Sequence, residues 1–215
     1  GILRLIRKIN PDFHILLKAS SLSKDSVKNW MEFESKSDKQ IHYFENDSPL
    51  EIALYLAVSR GPHMDFSIQK AVELGVKVII PIISEFSNIK LMGHRVENKM
   101  THWKKIIIGA AEQCGRNTLA ELQSPVTFNE SINLHNDSKK LILHPGVGQT
   151  MSKININNNK LALMIGPEGG FSEAEFQKAL DNNYIPVNLG PRILRTETAV
   201  VCSLSNAQQL WGDLN

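Results

Sequence analysis

Residues 160–172 have the sequence Lys-Leu-Ala-Leu-Met-Ile-Gly-Pro-Glu-Gly-Gly-Phe-Ser. The apolar run at 160–165 predicts a short buried strand. The loop after it holds three glycines and a proline, which cost chain entropy and add nothing to a core. Ser172 predicts a helix N-cap, because Glu173 and Glu175 follow in the first turn. A strand that passes through a glycine loop into a helix is a unit of an open α/β sheet.

A second strand, loop and helix of the same kind follow in the chain. Residues 185–189 predict a strand, and they lead into Leu189-Gly-Pro-Arg-Ile-Leu-Arg-Thr-Glu-Thr-Ala199. Residues 196–211 predict the last helix, which is capped by Thr196 and followed by Gly212. Arginines beside a helix N-terminus suit an anionic partner, such as an RNA phosphate or a carboxylate. Two Gly-Pro loops after neighbouring strands favour a ligand site over two ordinary turns.

The rest of the chain divides into two parts. Residues 51–215 continue the alternation, which predicts an α/β domain with a mostly parallel sheet covered by helices on both faces. Residues 1–50 contain short apolar runs between polar stretches, which predict a small β-rich domain that ends near Glu-Asn-Asp-Ser-Pro at 45–49. The other predicted elements of the larger domain are strands at 52–58, 76–83 and 140–144, and helices at 65–74, 98–115 and 172–180.

Composition narrows the class of protein. Of 215 residues, 42% are hydrophobic and 21% charged, and the net charge of +2 permits nucleic-acid binding without requiring it. Cys114 and Cys202 lie in apolar runs without a CxxC pair, which predicts free thiols and no zinc site. No run approaches the roughly 18 apolar residues of a membrane span. We expect a cytoplasmic protein with no membrane contact and no metal.

Two further residues have two interpretations each. Arg116 ends the segment Glu112-Gln-Cys-Gly-Arg, where it either faces a cleft with Gln113 or solvates the helix end. His144 ends a predicted strand before Pro145, where it is either a proton shuttle near neutral pH or a structural loop histidine.

The glycine loop itself lacks the Gly-Lys-Ser/Thr ending of a phosphate-binding loop and the spacing of a dinucleotide fingerprint.

Four segments, in this order, resemble the ribosomal RNA small-subunit methyltransferase E family. They are residues 69–76, 111–116, 165–172 and 189–199, and together they cover about residues 60–205. Members of that family use S-adenosylmethionine to methylate N3 of a uridine in 16S ribosomal RNA, and they belong to the SPOUT superfamily. The resemblance therefore implies this activity, a C-terminal trefoil knot, and a homodimer with the cofactor pocket close to the subunit interface.

The resemblance also implies the binding residues. The cofactor would be held by the ends of three strands, with the residues Leu143, His144, Pro145, Gly146, Ile165, Gly166, Pro167, Glu168, Gly169, Gly170, Leu189, Gly190, Ile193, Leu194, Arg195, Thr198 and Ala199. The family carries an N-terminal PUA-like β-barrel that binds RNA. Residues 2–7 resemble an early motif of that domain, but the chain begins inside this motif, so we expect the barrel to be divergent or incomplete. Arg4, Arg7 and Lys8 are the candidates for holding RNA phosphates.

The expected chemistry sets the catalytic candidates. N3 of neutral uridine carries a hydrogen and is a poor nucleophile until that proton leaves. Cationic donors stabilise the developing imidate, and Arg192, Arg195 and Arg116 are candidates for that role. Glu197 or His144 would accept the proton, directly or through water. N3 lies on the Watson–Crick edge, so the target uridine must be unpaired.

Two other functions remain open, and a third is disfavoured. A knotted methyltransferase that acts on another RNA position, such as a ribose 2′-hydroxyl, would have the same loops. A non-catalytic RNA-binding module is the alternative outside the enzymes, although it would not need to retain both Gly-Pro loops. A nucleotide hydrolase is disfavoured because no lysine follows the glycines.

Overall fold

The centre of the sheet consists of strands whose residues are almost all apolar. The computed structural model describes residues 46–87 and 94–214, and in it β1 (Glu51–Ala57) lies parallel to β6 (Lys160–Ile165). Their register places Leu54 opposite Leu163. Every residue of β1 after Glu51 is buried, as expected of a strand that is covered on both faces.

All the strand pairs in the described residues are parallel. The strand order is β3-β2-β1-β6-β5-β7, and β4 also pairs with β2. Parallel strands share one carboxyl edge, so the loops that leave β5, β6 and β7 are neighbours there. The other strands are β2 (Val78–Ile83), β3 (Glu121–Leu122), β4 (Val126–Thr127), β5 (Lys139–Leu143) and β7 (Ile185–Val187).

Helices cover both faces of this sheet, as the sequence predicts. On one face α1 (Gly61–Glu73) packs between α2 (His94–Cys114) and α5 (Thr196–Trp211). On the other face, α3 (Phe128–Ser131) and α4 (Glu173–Asp181) cover a second core. Burying one large apolar side chain in such a core contributes about 1.5–3 kcal/mol. The mostly parallel α/β architecture is confirmed.

The predicted helices are present, with boundaries that move for local reasons. Helix α1 begins at Gly61, four residues before its predicted start, because Pro62 occupies its first turn. It ends before Gly75, whose φ of +77° belongs to the left-handed region that glycine adopts without strain. Ser172 caps α4 as predicted: its hydroxyl accepts from the Glu175 N–H, and the Glu175 carboxylate accepts from the Ser172 N–H.

The predicted cap of α5 is wrong. Thr196 is the first residue of the helix, and Arg195 occupies the N-cap position without a side-chain hydrogen bond. The short elements β3, β4, α3 and the 3₁₀ turn Met151–Lys153 have no counterpart in the sequence analysis. Each is four residues or fewer, which is too short for a hydrophobic period to appear.

The described residues belong to the larger predicted domain. Asp47–Asn215 forms one compact unit. The predicted β-rich domain at residues 1–50 lies almost wholly outside the described residues, so its fold and its boundary remain predictions.

Candidate active site

One cavity of about 600 Å³ lies at the carboxyl edge of the sheet, among the loops that follow β5, β6 and β7. Volumes of this size are typical of small-molecule and cofactor sites. Its lining combines the apolar side chains of the strand ends with the backbone of the two Gly-Pro loops. The lining residues are His63, Leu143, His144, Pro145, Ile165, Gly166, Pro167, Glu168, Gly169, Gly170, Phe171, Leu189, Gly190, Arg192, Ile193, Leu194, Arg195, Thr196, Glu197 and Ala199.

A hydrogen bond joins the two Gly-Pro loops directly. The Thr196 hydroxyl donates to the Gly166 carbonyl at 3.3 Å, which ties the start of α5 to the end of β6. The first loop is tightly packed where it leaves β6: a Cβ on Gly166 would lie 3.2 Å from the Gly170 backbone. The two loops therefore meet in space and enclose the cavity between them.

The third loop, after β5, is held against β7. The His144 N–H donates to the Val187 carbonyl at 3.0 Å, and the Asn188 side-chain amide donates to the Gly148 carbonyl at 2.7 Å. Gly148 has a φ of +93°, and a Cβ there would lie 2.2 Å from the Pro186 carbonyl oxygen. Only glycine permits this close approach, which fixes the third wall of the cavity.

The charged groups of the cavity differ in how they are held. Arg192 and Arg195 are exposed, and neither guanidinium makes a hydrogen bond or ion pair within the described residues. Glu197 is mostly buried: its Oε1 lies 3.0 Å from His63 Nδ1, and its Oε2 is buried with no hydrogen-bond partner in the described part of the chain. Glu168 accepts a hydrogen bond from the Arg60 N–H at 3.3 Å. Two exposed guanidinium groups and two carboxylates thus face the same space.

Known proteins share both the sequence and the fold of this chain. The family model for an RNA methyltransferase domain matches residues 46–208. A crystal structure of a ribosomal RNA small subunit methyltransferase E from Neisseria gonorrhoeae, bound to S-adenosylmethionine, is 38% identical with a TM-score of 0.75, and the match covers 79% of this chain and 70% of that one. The chain belongs to the ribosomal RNA small subunit methyltransferase E family.

Other relatives support the same assignment. A family member from Buchnera aphidicola of Acyrthosiphon pisum is 40% identical over 168 residues, which span 78% of this chain and 66% of the relative. A methyltransferase from Legionella pneumophila, solved with the bound cofactor, is 43% identical with a TM-score of 0.77, covering 79% of this chain and 70% of that one. The resemblance seen in the sequence, and the enzyme class that it implies, are confirmed.

The structure of this family member brings together nearly all the residues predicted to hold the cofactor. The exceptions are Gly146 and Thr198, which are exposed and do not line the cavity. Four of the five predicted catalytic residues line it, namely Arg192, Arg195, Glu197 and His144. The His144 ring, however, already bonds the Pro145 carbonyl oxygen at 2.9 Å and stacks on Phe176 at 4.3 Å between ring centroids.

Arg116 is the predicted catalytic residue that the structure places elsewhere. Its side chain is 5% exposed, and its Nε donates to Asp47 Oδ1 at 2.9 Å. Its Nη1 donates to the carbonyls of Val72 and Val76, at 3.3 and 2.7 Å. The guanidinium therefore holds the turn after α1 against the end of α2. Arg116 does not line the cavity, and these contacts favour a structural role over the catalytic role predicted for it.

His63, Phe171 and Thr196 line the cavity, although the sequence analysis did not assign them to the site. His63 comes from the start of α1, more than a hundred residues before the second Gly-Pro loop. One signal was available: α1 follows β1, and the carboxyl end of β1 lies at the same sheet edge as that of β6.

The remaining site predictions concern RNA, metal and membrane. Arg4, Arg7 and Lys8, the predicted phosphate contacts, lie outside the described residues. Within residues 46–87 and 94–214, no cluster of three or more His, Cys, Asp or Glu side chains has the arrangement of a metal site. No helix in these same segments is long and apolar enough to cross a bilayer.

Proposed function

We propose that this chain methylates N3 of a specific uridine in 16S ribosomal RNA, with S-adenosylmethionine as the cofactor. The observation that carries the proposal is the cavity in which two Gly-Pro loops and the loop after β5 meet beside two arginines without ion-pair partners in the described chain. Family membership supports the RNA substrate, and the two solved relatives with bound cofactor support the methyl donor.

The lining of the cavity fits this cofactor. Leu143, Ile165 and Leu194 supply apolar surface for a flat ring, and the glycine backbones supply donors and acceptors that a side chain would block. Bound S-adenosylmethionine supplies a methyl group that the sulfonium has already activated. The protein then has to orient the nucleophile, which provides up to about 7–11 kcal/mol in intramolecular models.

The two arginines suit the charge that develops on the base. When N3 loses its proton, negative charge spreads to O2 and O4 of the uracil ring. Arg192 and Arg195 are exposed at the rim and make no competing ion pair in the described structure. Each guanidinium presents several N–H donors, which stabilise that charge in the transition state. Glu197 and His144, the predicted proton acceptors, line the same cavity.

The assembly around this site is part of the same proposal. Ile193 is 83% exposed although it is apolar and lies between the two arginines. Such a side chain at the cavity rim suits a protein partner, which supports the homodimer implied by the family. The family also supports the C-terminal knot, the PUA-like domain in the N-terminal part, and a small ribosomal subunit in the cytoplasm as the substrate.

One experiment tests the chemistry and the position together. The protein is incubated with small subunits from a strain without this methylation and with labelled cofactor, and the RNA is digested to nucleosides. We expect labelled N3-methyluridine at one mapped position. A labelled 2′-O-methyl nucleoside would show a different target atom, and cofactor uptake without transfer would indicate a binding module.

A further inference from the structure

His63 and Glu197 form a pair inside the cavity, and the proposed function assigns no role to His63. His63 Nδ1 lies 3.0 Å from Glu197 Oε1, and the two side chains are 34% and 17% exposed. The pair joins the start of α1 to the start of α5, which are distant in sequence. Both residues line the same cavity as Arg192 and Arg195.

The position of His63 is set by its neighbours on α1. Met64, the next residue, is fully buried and anchors the first turn to the core. Pro62, the residue before it, restricts the backbone of that turn. The imidazole therefore stands at the wall of the cavity on a rigid element, and its Nε2 has no partner within the described residues.

Glu197 has the features of a group that holds such an imidazole. Its carboxylate is mostly buried, and its Oε2 is buried without a hydrogen-bond partner in the described segments. A buried carboxylate oxygen without a partner is costly, and a cation beside it offsets that cost. A carboxylate 3.0 Å from Nδ1 also stabilises the imidazolium that proton transfer produces.

We infer that His63 accepts the N3 proton of the target uridine and that Glu197 is its positioning residue. This inference rests on the proposed function. The proton passes to His63 Nε2 while the N3 lone pair forms the new bond to the methyl carbon. The electron pair of the broken S–CH₃ bond stays on sulfur. The products are N3-methyluridine, S-adenosylhomocysteine and an imidazolium, which then releases its proton to solvent.

His144, the other histidine of the cavity, lacks these features. Its Nδ1 bonds a neutral carbonyl, that of Pro145, so no carboxylate balances an imidazolium there. Its ring also stacks on Phe176. The charged and titratable groups around His63 are Glu197, Glu168, Arg192, Arg195 and His144 at the cavity, Asp65 on α1, and Lys99 and His102 on α2.

The test compares His63→Ala with a matched variant, His94→Ala. His94 also pairs with a glutamate, at 3.3 Å from Glu97, but this pair is exposed on α2 and lies outside the cavity. We expect His63→Ala to lower the methylation rate at saturating cofactor and RNA by about 10²–10⁴-fold, the usual contribution of a general base. Cofactor affinity, measured by calorimetry, stays unchanged. His94→Ala keeps the wild-type rate.

Three readouts separate a proton acceptor from a structural histidine. Added imidazole restores part of the rate of His63→Ala, because a small base can enter the space of the missing ring. We expect the loss of rate at acidic pH, which protonation of the base causes, to disappear in His63→Ala and to remain in His144→Ala. Glu197→Gln lowers kcat and leaves the KM for RNA unchanged.

Distinct results overturn the inference and the proposed function. If His63→Ala keeps its pH dependence and imidazole has no effect, His63 is not the acceptor, although the wild type still makes N3-methyluridine. If His144→Ala loses the pH dependence instead, the acceptor is His144. If the wild type makes no N3-methyluridine at all, the proposed function fails and the inference fails with it.

Discussion

Arg116 and Arg195 lie in two different family motifs, each after a glycine, and their environments are opposite. The Arg116 side chain is 5% exposed, and Asp47 and two backbone carbonyls take up its donors. Arg195 is exposed at the cavity rim and makes no ion pair within residues 46–87 and 94–214. A guanidinium whose donors are already used supports the fold, whereas one with free donors can bind a charge that appears during the reaction.

Replacing Arg116 should reduce the stability of the protein more than any other change proposed below. Arg116→Ala removes three hydrogen bonds and leaves Asp47 and two carbonyls without this partner. Breaking a buried ion pair in this way costs about 3–5 kcal/mol of unfolding free energy. Urea denaturation followed by circular dichroism measures it, with Arg95→Ala, an exposed arginine on α2, as the control. Normal stability with lost turnover would instead restore a catalytic role for Arg116.

For a change at the cavity we expect unchanged stability and a lower reaction rate. Arg195→Ala removes an exposed side chain that makes no hydrogen bond in the described structure, so the unfolding free energy stays within about 0.5 kcal/mol of wild type. Loss of one cationic donor to the developing imidate lowers kcat by about 10²–10³-fold. Single-turnover methylation of small subunits measures this change. An equal rate in Arg195→Ala and Arg95→Ala would remove Arg195 from the mechanism.

The weakest of the three effects is expected where the two Gly-Pro loops meet. Thr196→Val keeps the shape of the side chain and removes the donor to the Gly166 carbonyl. We expect a loss of about 0.5–1.5 kcal/mol, divided between stability and cofactor affinity. Thermal unfolding with and without S-adenosylmethionine measures both parts. Thr198→Val, two residues along and outside the cavity, is the control, and an identical shift in both variants would show that the hydrogen bond is not what joins the loops.

The sheet, the covering helices and the two loops could be predicted from the amino-acid sequence. These features depend on local patterns: continuous apolar strands, helical periods with glycine stops, and a serine N-cap with its glutamate three residues later. Each pattern lies within about twenty residues, so the residues that form it are also the residues that interact. The resemblance to the family added the enzyme class, because two of the family motifs are the two Gly-Pro loops.

Which polar residues lie together could be seen only from the packing of the folded chain. It placed Arg116 against Asp47, 69 positions away in the chain, and outside the cavity. It brought His63 at the start of α1 to Glu197 at the start of α5 and left Gly146 and Thr198 outside the cavity. Burial, the distances between side chains and the hydrogen bonds that use up a donor depend on how distant segments pack, and no local pattern contains that information.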